Sequence, residues 1–279
     1  MKNQLPFYSL EPSNIGGLVI EDIPEDISYA TMPHQDDHYL VMILTEGFGT
    51  MELEGEVFHC TAPAMMVIKP LQVHFAHEVH QAKGWIVSTA PFLIPDTLAV
   101  AFQSLQIKQQ YAPLHDAGDL IQIVLTLQAT FNTTACPARY KPAIMKGLSD
   151  ALFHRILPEF ECILENGAQN IRQAAAITRQ FMQLLQQEGA AQMPTFFAQQ
   201  MHITPAHLND CVRETTGYPL TYWRQYAMLN AAKRLLYYTD KPVKTIAWEL
   251  GYEDHTYFSR LFRKLTGDTP GNFRSKFHE

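Results

Sequence analysis

The hydrophobic positions in the last third of the chain recur at helical spacing, and the same arrangement occurs twice. The first copy, residues 194–217, reads PTFFAQQMHITPAHLNDCVRETTG, and the second, residues 243–267, reads VKTIAWELGYEDHTYFSRLFRKLTG. Ala198 aligns with Ala247 and Gly217 with Gly267, at offsets of 49 and 50 residues. Similar elements at a fixed offset indicate a repeated structural unit. Each copy predicts two short helices joined by a tight turn.

Turn and cap residues support this interpretation. Gly251 suits a turn that needs a positive φ, and His202 occupies the same place in the first copy. Thr204, followed by a proline, is predicted to cap one second helix, and Asp254 or Glu253 the other. The two Thr-Gly pairs are typical of helix ends. Two helix-turn-helix units are therefore predicted.

A single helix is predicted between the copies, over residues 220–238, ending before Pro242. Its apolar stripe is predicted to comprise Tyr222, Tyr226, Leu229, Ala232 and Leu236. Nineteen residues at about 1.5 Å each span roughly 28 Å. One turn of B-DNA measures about 34 Å, so the two second helices could enter successive major-groove segments.

The segment AAKRLLYYTDKPVKTIAWELGYEDHTYFSRLFRKLTGDTPGNFR, residues 231–274, closely resembles the signature of the AraC/XylS family of bacterial transcription regulators. The specific likeness covers about eighty residues, 194–274. It implies a seven-helix domain that binds double-stranded promoter DNA through two helix-turn-helix units. It further implies a homodimer that responds to a small-molecule effector and acts on RNA polymerase, with activation the commoner mode in the family.

The exposed positions of the two second helices are the expected DNA contacts. In the second copy Arg260 is the expected base reader, with guanine as its partner, and a salt bridge to Glu253 or Asp254 is the alternative. In the first copy Asp210 stands where the family usually has a basic residue, so direct base readout by this unit is in doubt. The full set of expected contacts is His255, Thr256, Tyr257, Ser259, Arg260, Arg263, Lys264, Ala206, Asn209, Asp210 and Arg213.

Charge is unevenly distributed between the two parts of the chain. The net charge of −7 alone argues against a nucleic-acid binder. Residues 170–279 hold 13 Lys and Arg against 9 Asp and Glu, whereas residues 1–169 hold 8 against 19. This asymmetry predicts that only the C-terminal part meets phosphate.

Residues 38–90 show short β-like runs separated by Gly, Pro or Glu-Gly. Regularly spaced short strands are typical of a sandwich or barrel. This part resembles the cupin-like sensor domains of the same family, including a proline turn at residues 69–74. We therefore expect an α+β chain of two domains: a cupin-like jelly-roll barrel with helices for effector binding and dimerisation over residues 1–165, and an all-α DNA-binding domain over residues 166–279. The expected strand runs are HYLVMILTEG, TMELEGEVFHC, AMMVIKP, VHFAHEVH and GWIVSTA.

Two amphipathic helices are predicted after these strands, over residues 119–131 and 140–160. The second has an apolar stripe of Ile144, Leu148, Leu152 and Ile156. Packing against the barrel and a homodimer seam both fit this stripe. Residues 165–170 form the predicted linker, followed by a helix over residues 171–188.

Histidines are the main candidates for chemistry in the first domain, which holds eight of the twelve. A metal-dependent cupin enzyme is one alternative, but the usual H-x-H pair with a following Glu is absent, so no metal and no cofactor are expected. The alternation of a strand predicts that His74 and His80 share a face. We expect His34, His38, His74 and His80 to line an effector pocket instead. A ligand-independent DNA binder is the third alternative.

The sequence contains no motif typical of other kinds of enzyme or of a cysteine-based metal site. The four cysteines are scattered without CxxC spacing, and there is no GxSxG motif or phosphate-binding glycine loop, so an enzyme is not expected. No secretion signal and no stretch of eighteen apolar residues is present, so we expect a cytoplasmic protein without a membrane span.

Overall fold

A computed structural model of the chain describes residues 5–10, 17–105, 107–137, 140–164 and 169–278. The chain divides into two compact units, one with residues 1–98 and 105–166 and the other with residues 99–104 and 167–279. The first unit is rich in β-strands and the second is helical, which confirms the α+β two-domain class. The predicted domain boundary at residues 165 and 166, and most of the predicted linker, lie outside the described residues.

The first unit contains a mainly antiparallel sheet. Its strands follow the order β2-β7-β4-β6-β8, with β5 paired to β4, and β1 and β3 form a separate parallel pair. Their bounds are β1 Phe7–Tyr8, β2 Leu18–Asp22, β3 Gln35–Asp36, β4 Tyr39–Leu53, β5 Glu56–Thr61, β6 Ala64–Ile68, β7 His74–Thr89 and β8 Tyr111–Pro113.

Two of these strands are longer than predicted: β4 has 15 residues and β7 has 16. Gly47 and Gly84 were expected to separate strands, but β4 and β7 run through them and pair along their full length. Both glycines have positive φ, and a Cβ on Gly84 would lie 1.9 Å from the carbonyl oxygen of Ile43. The pairing of β4 with β7 shifts register at three places. The glycines thus serve close approaches and irregularities that bend strands without ending them.

The sheet buries one face of each long strand. Met51 and Leu53 are buried, but Val57 is about half exposed because the chain reverses at Glu54 and Gly55 into β5. The predicted run over residues 50–60 is therefore a hairpin. The proline turn falls at residues 69–73, directly before β7, as predicted.

Three helices follow the main strands: α1 Asp96–Ser104, α2 Gly118–Asn132 and α3 Lys141–Leu164. The predicted stripe on α3 is divided between two environments. Leu152 and Ile156 are fully buried, whereas Ile144 is 42% exposed. Packing within the unit accounts for the buried half of the stripe, and the exposed half is left for other contacts.

Seven helices lie within residues 169–278. Their bounds are α4 Gln169–Glu188, α5 Pro194–Gln200, α6 Pro205–Thr216, α7 Leu220–Tyr238, α8 Val243–Glu249, α9 His255–Thr266 and α10 Pro270–His278. The pairs α5–α6 and α8–α9 are the two predicted helix-turn-helix units, and α7 has its predicted bounds.

The predicted caps are present. The Thr204 side chain accepts a hydrogen bond from the N–H of His207, and Asp254 accepts one from Thr256. The two Thr-Gly glycines are left-handed, with φ of 78° and 80°. In the turns, Gly251 has φ 81° and His202 has φ 55°. The first helix-turn-helix unit therefore holds a non-glycine residue, His202, in a conformation that favours glycine.

The stripe predicted for α7 is only half right. Ala232 and Leu236 are fully buried, but Tyr222, Tyr226 and Leu229 are half-buried. The buried positions that the prediction placed off the stripe are Leu220, Trp223 and Asn230, together with Met228. Because α7 packs against helices of both helix-turn-helix units, it is covered on more than one side and shows no single apolar stripe.

Candidate nucleic-acid interface and candidate ligand sites

Helix α9 separates a buried face from an exposed one. Phe258 and Phe262 are fully buried. His255, Thr256, Tyr257, Arg260, Arg263 and Lys264 are all exposed. Ser259 is half-buried, and its hydroxyl donates to the carbonyl oxygen of His255 at 2.9 Å. The exposed face thus offers polar groups at the N-terminal end that a recognition helix presents to the major groove, with Arg260 in the middle of the helix and Arg263 and Lys264 in its last turn.

The guanidinium of Arg260 is available to an external partner. Within the described parts of the chain it forms no ion pair at 4.0 Å or less with Glu253 or Asp254, although backbone hydrogen bonds and, more weakly, its charge lower the pKa of the Asp254 carboxyl. The Asp254 carboxylate instead caps α9, with its Oδ1 2.7 Å from the N–H of Thr256. Hydrogen bonds from backbone N–H groups hold the pKa of this carboxyl below its usual range.

Helix α6 presents a different surface. Ala206, Asp210 and Arg213 are exposed, so the acidic residue lies on the outer face. Asn209 is half-buried, and its Oδ1 accepts a hydrogen bond from the N–H of Leu220 at 3.1 Å. The oxygen of the Asn209 side-chain amide therefore already accepts a hydrogen bond within the domain. Sequence analysis missed this contact, which joins residues eleven positions apart.

A cluster of polar side chains, buried except for the half-buried His34, lies in the first unit. His34 and His74 exchange backbone hydrogen bonds of 3.2 and 3.0 Å, and their rings lie 4.3 Å apart. The Oδ2 of Asp36 lies 3.4 Å from His74 Nε2 and 3.8 Å from His38 Nε2. Three of the four predicted histidines are thus brought together near one carboxylate, and among the described residues His34, Asp36 and His74 are placed so that they could hold a metal ion.

His80 does not join this cluster, contrary to the prediction. It lies six residues along β7, about 20 Å from His74 in an extended strand. The register shift between Thr50 and Met51 of β4 falls opposite the segment between the two histidines and inverts the alternation, so they do not share a face. The His80 ring lies 5.0 Å from that of Phe48 between centroids, tilted by 37°, and its Nε2 lies 3.2 Å from a carboxylate oxygen of Glu78.

An apolar cavity in the same unit was not predicted. Its volume is about 40 Å³, and none of the four predicted histidines lines it. The lining includes Met42, Met51, Met65, Met66, Phe48 and Tyr111. Pockets for small molecules are roughly 300–1,000 Å³, so a ligand of that size would need these side chains to move. Methionine side chains adapt easily to such changes.

Two family models match the chain. The model described as "AraC-like ligand binding domain" matches residues 16–122, and the one described as "Helix-turn-helix domain" matches residues 197–276. The first range covers the sheet with the histidine cluster and the cavity, and the second covers both helix-turn-helix units. The order and content of the two domains are those of the AraC class of regulators. This chain belongs to the AraC/XylS family.

Individual proteins are similar to parts or to most of this chain. The arabinose operon regulatory protein of Escherichia coli is 35% identical over 82 residues, which cover 29% of this chain and 28% of that protein. An uncharacterized HTH-type transcriptional regulator of Bacillus subtilis, YfiF, is 24% identical over 90% of this chain and 81% of its own length. A solved structure of apo ToxT K231A from Vibrio cholerae is 12% identical, with a TM-score of 0.43, and covers 93% of this chain and 97% of that one. The chain thus matches less than a third of the length of the first of these relatives.

Among the described residues, no helix is both long and apolar enough to cross a membrane.

Proposed function

We propose that this chain is a sequence-specific regulator of transcription that binds double-stranded promoter DNA. The observation that carries the proposal is the pair of capped helix-turn-helix units joined by α7, with the cations of α9 exposed on one face. A rigid helix of roughly 28 Å between two recognition helices suits two major-groove segments on one side of a duplex. One chain would then read both segments.

The two domains would have different functions. Residues 166–279 bind DNA, and residues 1–165 bind a small-molecule effector and form a homodimer. The exposed half of the α3 stripe, which includes Ile144, is the candidate dimer contact. Effector binding would change the contact that the regulator makes with RNA polymerase, with activation as the expected mode. Such a protein acts in the cytoplasm and is not an enzyme.

The apolar cavity, more than the predicted histidines, has the lining of an effector site. Its wall of methionine and aromatic side chains favours an apolar molecule over a sugar or a charged metabolite. At about 40 Å³ the cavity is nearly filled by side chains. A ligand would therefore repack the methionines of β4 and β6, and this is how its presence could alter the domain.

The test is selection from random duplex DNA with the purified full-length chain. We expect enrichment of two short sequence elements whose centres are about 10–10.5 base pairs apart, which is one helical turn. Enrichment of a single element would show that only one unit reads bases. Binding without any enriched sequence would contradict the proposal, because contacts to phosphate alone carry no sequence information.

A further inference from the structure

We propose that His34, Asp36 and His74 form a binding site for a divalent transition-metal ion in the first unit. Each side chain offers one ligand atom, and these atoms all lie within 4.8 Å of one another. The site is built from two separate segments: His34 and Asp36 precede β4, and His74 begins β7. The two segments are joined by the two backbone hydrogen bonds between His34 and His74, which hold these residues side by side.

Both histidines are held in the orientation that metal-binding histidines adopt. The Nδ1 of His34 lies 2.9 Å from the carbonyl oxygen of Met32, and that of His74 lies 3.0 Å from the carbonyl oxygen of Gln72. A carbonyl oxygen only accepts, so each Nδ1 carries the proton and the neutral ring leaves a lone pair on Nε2. Outer-shell carbonyl partners of this kind fix the tautomer of histidine ligands to metals.

The electrostatics of the cluster require a cation. The side chain of Asp36 is only 7% exposed, and its Oδ2 faces His74 Nε2 at 3.4 Å. That nitrogen is buried and has no hydrogen-bond partner among the residues that the structure describes. A buried carboxylate that faces an unpartnered lone pair is costly. Two ligands about 2.0–2.1 Å from one tetrahedral metal ion lie roughly 3.4 Å apart, which matches the observed separation.

The ligand types select the class of metal. Imidazole and carboxylate together suit zinc and its neighbours in the first transition row, whereas calcium and magnesium take oxygen ligands. Three protein ligands leave a coordination position for water or a small molecule. His38 is a third imidazole near Asp36: its Nδ1 lies 3.1 Å from Asp37 Oδ1, and its Nε2 lies 3.8 Å from Asp36 Oδ2. The absence of the usual cupin motif therefore does not exclude a metal, because these ligands come from other positions.

A proton is the competing occupant, since an imidazolium on His74 would pair with Asp36 without any metal. Metal titration of the full-length, untagged chain separates the two. After treatment with a chelator, Zn²⁺ binding is followed by calorimetry, and Co²⁺ binding by its visible absorption. We expect one equivalent of Zn²⁺ and the absorption bands of a tetrahedral cobalt site.

Variants identify the ligands. Asp36→Asn and His74→Gln should each weaken Zn²⁺ binding at least about tenfold, since even the loss of an outer-shell partner costs about 10–100-fold. His77→Gln and His80→Gln are matched controls on the same strand, each removing an imidazole that lies next to a glutamate outside the cluster. They should retain the affinity of the parent chain. Thermal unfolding of the metal-free variants shows whether each one folds, and His34→Gln replaces any that does not.

Two results would overturn the proposal. One is a full chain that takes up no stoichiometric Zn²⁺ or Co²⁺, which would leave a proton in the cluster. The other is Zn²⁺ affinity that survives Asp36→Asn and His74→Gln or falls equally in the controls. Neither readout involves DNA, so this test and that of the proposed function fail independently.

Discussion

The carbonyl oxygen of the Asn209 side chain accepts a hydrogen bond from the backbone N–H of Leu220 at 3.1 Å. Leu220 is the first residue of α7, where N–H groups have no partner within the helix. The corresponding positions in the second helix-turn-helix unit are Ser259 and Pro270. Proline has no N–H, so α10 has no donor at this position to satisfy. The two units therefore differ at this position for a structural reason.

Asn209→Ala should consequently lower the stability of the DNA-binding domain by about 1 kcal/mol, the usual cost of losing a side-chain cap. Urea unfolding of the full chain, with hydrogen exchange of α7 as the local readout, measures the change. Ser259→Ala is the matched control and should cost less, because Pro270 needs no partner. Unchanged stability together with lost discrimination at one base pair would instead identify Asn209 as a base reader.

Local signals in the sequence predicted the helical domain well. The caps at Thr204 and Asp254 and the glycine ends depend on neighbouring residues, and all fall where predicted. The β-unit was harder because its irregularities are long-range. The bulge that turns His80 away from His74 depends on pairing with β4, and the contact between His34 and His74 joins residues forty positions apart. The alternation of residues along a strand predicts neither the bulge nor the contact between the two histidines.

Arg260→Ala should weaken binding to the selected DNA site by about 1–3 kcal/mol, because a bidentate contact to guanine is lost. Specificity at the base pair that Arg260 reads should be relaxed. Binding to the selected site and to its single-base variants measures this. Arg263→Ala, one turn nearer the C-terminal end of α9, is the control and should weaken binding to all DNA sequences equally. An equal loss on every sequence for Arg260→Ala would assign it to the phosphate backbone.

Asp210→Arg should tighten non-specific DNA binding and steepen its dependence on salt. Asp210 is exposed on α6, so its carboxylate repels phosphate and an arginine would add a phosphate contact. The slope of log affinity against log salt concentration gives the number of such contacts. Glu188→Arg makes the same change of charge at the end of α4 and should leave the slope nearly unaltered. If the two variants have the same slope as the parent chain, Asp210 lies off the DNA face.

A buried lysine should give the first unit an unusual dependence on pH. The ammonium group of Lys69 donates to the carbonyl oxygen of Leu105 at 2.9 Å. Burial lowers the pKa of Lys69 from 10.5 to about 8. Above pH 8 the unfolded chain therefore binds more protons than the folded chain, so the free energy of unfolding rises with pH. Below pH 8 both states are protonated, and the cost of burying the charge is fully present.

The window for this measurement ends near pH 9. Burial raises the pKa of the Cys60 thiol from 9.0 to about 11, so above pH 9 the unfolded chain loses that proton first and the contribution of Cys60 offsets the rise from Lys69. Between about pH 7.5 and 9, urea unfolding with hydrogen exchange of β6 should show rising stability in the parent chain. In Lys69→Met this rise should disappear, because the titrating group is gone. Parallel curves for the two proteins would show that Lys69 keeps its ordinary pKa in the folded state.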